Sequence, residues 1–219
     1  MVERRLPVYL LVDTSASMKG GLIDKVKTAI GNLVEDLCED PCARDTAWIS
    51  VITFGAEPRQ IVPLTPICEF VMPELVLGGK SALGPALSLL CECRMCETVV
   101  GTIEQKGDFR PIVFCFENGC QVVGNLERGV CDLMGRKWWK FICITAGADV
   151  NNSCLRHIHP SGLFSLQDLQ DRTLVKCFGW IIGGENSWPP HSSRKKQEVV
   201  SDVSNLEGDI PPPPDFVIL

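Results

Sequence analysis

Apolar strands alternate with amphipathic helices along most of this 219-residue chain, which predicts an α/β fold. The expected architecture is a doubly wound, Rossmann-like, mostly parallel sheet with helices on both faces. Three observations carry it. Residues 7–13 form a nearly continuous apolar run, as a strand covered on both faces requires. Leu22, Val26, Ile30, Leu33, Val34 and Leu37 then recur at helical spacing, with Lys25, Lys27, Glu35 and Asp36 off that face. A second apolar strand follows at 48–54.

The remaining elements continue the pattern. Residues 59–64 read as an edge strand beside 48–54, after which Pro63, Pro66 and Pro73 break the chain into loop. Gly78-Gly79-Lys80-Ser81 opens a helix with Leu83, Leu87 and Leu90 facing inward. A polar insertion at 102–110 leads into a strand at 112–116, and the weakly patterned run 121–136 holds a short helix. The strand at 141–145 ends at Ala146-Gly147, a short helix lies near 152–157, and a last helix spans about 166–182. From Gly183 the character changes. Trp188-Pro189-Pro190 and the charged run after it read as a linker, and the four prolines from Pro211 to Pro214 impose an extended spacer ending in apolar Phe216-Val217-Ile218-Leu219. The division is therefore a domain over 1–184 and a tail over 185–219, whose Pro211, Pro214 and Phe216 are a candidate partner-binding segment.

Composition narrows the function. Apolar residues make up 45% of the chain, an ordinary globular value, and the net charge of −6 argues against a nucleic-acid binder. The apolar run after Arg4 and Arg5 is short, lacks a small-residue cleavage site and ends at Asp13, so it reads as a core strand rather than a signal peptide. No stretch reaches the length of a membrane span. Twelve cysteines invite a disulfide or zinc reading, yet Cys115, Cys143 and Cys177 sit in apolar runs, as buried thiols of a reducing cytoplasm do. Cys91, Cys93 and Cys96 are the tight cluster. Cys93-x-x-Cys96 has no matching second pair for zinc and reads as helix, its two thiols sharing a face.

The chemistry concentrates where the first strand stops, at Asp13-Thr14-Ser15-Ala16-Ser17. One carboxylate and two hydroxyls on alternate residues make a compact oxygen site for a hard divalent cation. Magnesium suits it best, because that ion keeps several waters and needs only one or two protein carboxylates; manganese and calcium are alternatives. The competing reading is that Asp13 and Ser15 merely cap the helix that follows. In doubly wound sheets ligands gather beyond the carboxyl ends of strands, where Asn118-Gly119 also lies and which the Ser81 loop can reach.

Enzyme readings fare poorly. Gly79-Lys80-Ser81 lacks the upstream glycine of a phosphate-binding loop, Glu74 standing there instead. Ser15 occupies the place where an aspartyl phosphotransferase would carry its second acid, and His157, His159 and His191 assemble no nucleophilic set.

Several segments resemble the von Willebrand factor type A domain with its metal-ion-dependent adhesion site, and more closely the bacterial tellurium-resistance TerY-like branch. They are the run from Arg5 to Ser15, Ile49-Ser50-Val51-Ile52-Thr53-Phe54, the run from Ser81 to Leu87, and Phe178-Gly179-Trp180, with the Pro-rich ending besides. The resemblance covers about 4–184. It implies a cytoplasmic, non-enzymatic protein-binding module, with Asp13, Ser15 and Ser17 in the first loop and Ser81 in the place of the family's threonine. Asn118 stands where the family has an aspartate, within Glu117-Asn118-Gly119 rather than Thr-Asp-Gly, so the site has one carboxylate fewer. A partner's acidic side chain would complete the magnesium site. TerY-like proteins are associated with a protein kinase and a PP2C-type phosphatase in tellurite or stress systems, which the resemblance makes plausible partners here; no nucleic acid and no membrane is implied. The alternative is a metal-independent adaptor that works through its tail.

Overall fold

A computed structural model describes residues 4–104, 106–118, 126–135, 138, 140–146, 155, 158 and 161–166. Strand β1 (Leu6–Asp13) is followed by helices α1 (Leu22–Glu39) and α2 (Pro41–Thr46), then by strands β2 (Ala47–Phe54) and β3 (Pro58–Pro66). Helix α3 (Leu83–Glu97), strand β4 (Ile112–Glu117), helix α4 (Leu126–Met134) and strands β5 (Lys140–Thr145) and β6 (Gly162–Ser165) complete the described strands and α-helices. They form a six-stranded sheet in the order β3-β2-β1-β4-β5-β6, parallel throughout except for antiparallel β3 at one edge. The strand order runs outward in both directions from the β1–β4 pair, so the carboxyl ends of those two strands border the crevice where such sheets hold ligands.

Every residue of β1 is buried because each face of the sheet carries its own helices. Side chains alternate along a strand, so Leu6, Val8, Leu10 and Val12 pack with Val26, Ile30, Leu33 and Leu37 of α1. Tyr9 and Leu11 face the other way, onto Leu83, Leu87 and Leu90 of α3 and Leu133 of α4. Helices α3 and α4 approach closely at two glycines: a Cβ on Gly129 would run into the Gly84 carbonyl oxygen.

The expected strands and the helices at 22–37, 81–90 and 121–136 are present with small changes of boundary. One reading is corrected. Pro63 and Pro66 do not end the edge strand but lie within it, because an edge position and a bulge both tolerate a residue without an N–H. Ile49 opposes Thr65 and Val51 opposes Val62, so Pro63 and Leu64 together face Ser50 alone. Strand β6 goes unread from the sequence, being four residues long with too short an alternation to register. Cys93 and Cys96, expected on one face, lie about 60° apart around α3, one buried and one exposed. The helices expected near 152–157 and 166–182, Phe178-Gly179-Trp180, and the tail with Pro211, Pro214 and Phe216 lie outside the described residues. Among the described residues no helix is long and apolar enough to cross a membrane.

Two polar fastenings hold the end of the sheet away from the crevice. Arg5 pairs with Asp108 at 2.6 Å while its guanidinium stacks on Trp48, tying the 102–110 insertion to β1 and β2. Glu97, the last residue of α3, accepts from the bulged Leu64 N–H at 3.0 Å, from Gln60 Nε2 at 2.8 Å and from the Tyr9 hydroxyl at 3.2 Å. One carboxylate thereby replaces the ladder partner the bulge removes.

Glu97→Ala should cost about 2–3 kcal/mol in denaturant unfolding, since it strands the Tyr9 hydroxyl and the Leu64 amide together. A loss below about 0.5 kcal/mol would show that water replaces the carboxylate. Burial, reinforced by the Glu97 charge, pushes the Cys93 thiol up to about 11. At pH 8.5 Cys93 should therefore remain unalkylated in the native protein while exposed Cys68 and Cys96 react; mass mapping of alkylated peptides checks the order.

Candidate metal site at the strand ends

The site starts from an electrostatic burden. Strand β1 delivers the Asp13 side chain to the crevice edge with only 2% of the residue exposed, where a carboxylate is costly unless hydrogen-bonded or paired. Its partners are neutral. The Ser15 N–H donates to Asp13 Oδ1 at 2.7 Å, and the Ser15 hydroxyl, the Ser81 hydroxyl and the Asn118 N–H also hydrogen-bond the carboxylate. Burial nevertheless holds the Asp13 carboxyl above the usual carboxylate range, the four donors offsetting part of the shift.

Around this anion the described chain folds three loops. The first turns through a 3₁₀ turn at Ala16–Met18, which sets the Ser15 and Ser17 hydroxyls 2.8 Å apart, Ser15 buried and Ser17 exposed to solvent. The third comes off β4, and Asn118 Nδ2 donates to the Ser17 carbonyl oxygen at 2.7 Å, clasping the first loop. The second, before α3, is held by backbone alone: Gly78 N–H donates to the Thr14 carbonyl at 2.8 Å and Ala16 N–H to the Gly79 carbonyl at 3.0 Å. Only glycine permits that approach. A Cβ on Gly55, at the end of β2, would strike the Gly78 carbonyl, and Gly79 is left-handed at φ 71° with its missing Cβ 2.5 Å from Ala56.

Asp13, Ser15, Ser17, Ser81 and Asn118 are thus brought into one hydrogen-bonded cluster from three separate stretches of sequence. The capping alternative does not describe α1: its N-cap is Gly21 at φ 86°, with no side-chain cap, and the Asp13 side chain closes a local turn two residues on instead. The role of Gly55 is missed by sequence reading, as is the burial of Glu117, which is 3% exposed. Signals for both exist, a lone glycine closing a strand and an acid ending an otherwise apolar one.

The donors fit a hard cation. Carboxylate, hydroxyl and amide oxygens suit magnesium, manganese or calcium, whereas a structural zinc site draws on imidazole and thiolate. Among the described residues no group of three or more His, Cys, Asp or Glu side chains is placed to hold a metal, so any ion here leans on hydroxyls, water and added ligands.

Comparisons with known proteins bear on the fold that carries this site. The model of the von Willebrand factor type A domain matches residues 8–68. No curated protein matches the chain in sequence. Among solved structures it is similar to proximal thread matrix protein 1 of the mussel byssus with a zinc-occupied MIDAS motif, at 18% identity and TM-score 0.58, over 82% of this chain and 48% of that one. It is also similar to a von Willebrand factor type A protein of Catenulispora acidiphila, at 15% identity and TM-score 0.56, over 80% of this chain and 41% of that one. The SpRpn10 VWA domain matches at 17% identity and TM-score 0.52, over 79% of this chain and 95% of its own. The chain thus spans just under half the length of the mussel protein, 48%. Family match and structural likeness converge on one statement: the described part of this chain has the fold of a von Willebrand factor type A domain.

Proposed function

We propose that this chain is a non-enzymatic protein-binding module whose strand-end crevice holds a divalent cation, magnesium before manganese or calcium. The observation that supports it is the buried Asp13 carboxylate, ringed by neutral donors from three loops beside the exposed Ser17 hydroxyl. Such an arrangement stabilises an anion incompletely and leaves its counter-charge to be supplied from outside. The zinc-occupied MIDAS motif of the structurally similar mussel protein is consistent with a metal in this fold.

In this reading Asp13 is the charged anchor, directly or through water, Ser15 and Ser17 offer hydroxyl oxygens, and Ser81 joins from the α3 side. Asn118 holds the first loop in shape through the Ser17 carbonyl. Bound there, the cation would supply a Lewis-acidic point at the surface that an acidic side chain of a partner completes. Because the solvent-facing donor is a hydroxyl rather than a second acid, the approaching carboxylate meets little repulsion. The TerY-like resemblance makes a protein kinase and a PP2C-type phosphatase of a tellurite or stress-response system the partners we put forward, in the cytoplasm. A partner that stays bound through chelation and Asp13→Ala would move the working surface to the Pro-rich tail with Pro211, Pro214 and Phe216.

Calorimetric titration with magnesium and manganese should show one site in the wild type and at least a tenfold loss in Asp13→Ala, about 1.4 kcal/mol or more. Equal affinity in both would refute the reading. Gly55→Ala touches none of the donors, yet it pushes on Gly78 and so on the loop carrying Ser81. It should weaken cation binding several-fold in the same titration, and an unchanged value would show that Ser81 is not positioned by this contact.

A further inference from the structure

We propose that Glu117 is the second carboxylate of the cation site and carries the charge that Asn118 does not; this rests on the metal-binding reading above. Strand β4 is apolar for five residues and then ends on Glu117, buried to 3% exposure at the crevice edge. In the parallel β1–β4 pair Val12 lies opposite Phe116, so the next step of the register sets Asp13 beside Glu117. The two also share a face. Tyr9 and Leu11 of β1 and Val113 and Cys115 of β4 all belong to the α3-side core, and Asp13 and Glu117 are the next residues of that parity.

Two carboxylates at neighbouring strand ends, both almost fully buried, make an acidic edge to which a divalent cation is complementary. The hydroxyls of Ser15, Ser17 and Ser81 add oxygens suited to an ion at that point. A second acid in the strand itself also explains how Asn118 can spend its side-chain N–H₂ on the Ser17 carbonyl: its place in the loop is structural, and the charge sits one residue earlier.

The consequence is an isolated chain that binds a divalent cation without a partner. The test is manganese calorimetry on the full chain for the wild type, Asp13→Ala, Glu117→Gln, Asn118→Asp and the double variant Glu117→Gln/Asn118→Asp, with thermal melts with and without manganese. Glu117→Gln should bind at least tenfold more weakly and lose the manganese-induced rise in melting temperature, while its metal-free melting temperature is maintained or raised. A merely structural Glu117 would instead lower the metal-free value. Asn118→Asp should gain less than about threefold in the wild type but at least tenfold in the Glu117→Gln background, because the two carboxylates substitute for one another. Binding that needs Asp13 but is unchanged in Glu117→Gln would overturn this inference and leave the metal reading standing. A silent wild type would overturn both. Should Glu117→Gln fail to fold, a tenfold gain in the single Asn118→Asp variant overturns the inference, and a gain below threefold upholds it.

Discussion

Burying the Asp13 carboxylate at the end of β1 is the constraint around which the crevice is built. An anion with 2% exposure must be met by donors, and from its own loop Ser15 donates. Loops from the far side of α3 and from β4 therefore have to arrive at the same point. Their arrival explains features that otherwise look unrelated. Gly55 and Gly79 are small because the 78–81 segment lies against the ends of β1 and β2, and the Asn118 amide holds the Ser17 carbonyl.

The sheet makes this convergence possible. Because the strand order reverses direction between β1 and β4, their carboxyl ends border the crevice where doubly wound sheets hold ligands. The opposite end of the sheet is closed by charge instead. Arg5 with Asp108 and Glu97 with the β3 bulge are saturated pairs and networks, so they stabilise and offer nothing to a ligand. Two ends of one sheet are thus treated in opposite ways, one with its ions satisfied internally and one with a carboxylate left to neutral donors.

Much of this was legible in the sequence, for identifiable reasons. Burial on both faces writes itself as an unbroken apolar run in β1, and the single amphipathic stripe of α1 is equally plain. The carboxylate and hydroxyl spacing at Asp13, Ser15 and Ser17 is local, so it survives in one dimension. Contacts between distant segments do not. The Gly55–Gly78 approach and the Asp13–Glu117 adjacency depend on strand order and register, which no local pattern encodes. The prolines of β3 misled because their tolerance comes from an edge position and from Glu97, a residue more than thirty positions away.

The most direct test of the account is the position of a manganese ion in crystals of the full chain grown with that metal. An anomalous peak bounded by Asp13, Ser15, Ser17 and Ser81, with a Glu117 oxygen on its inner side, is the predicted result. A folded chain with no peak in that crevice at saturating manganese would contradict the claim that the strand ends are built to hold a divalent cation.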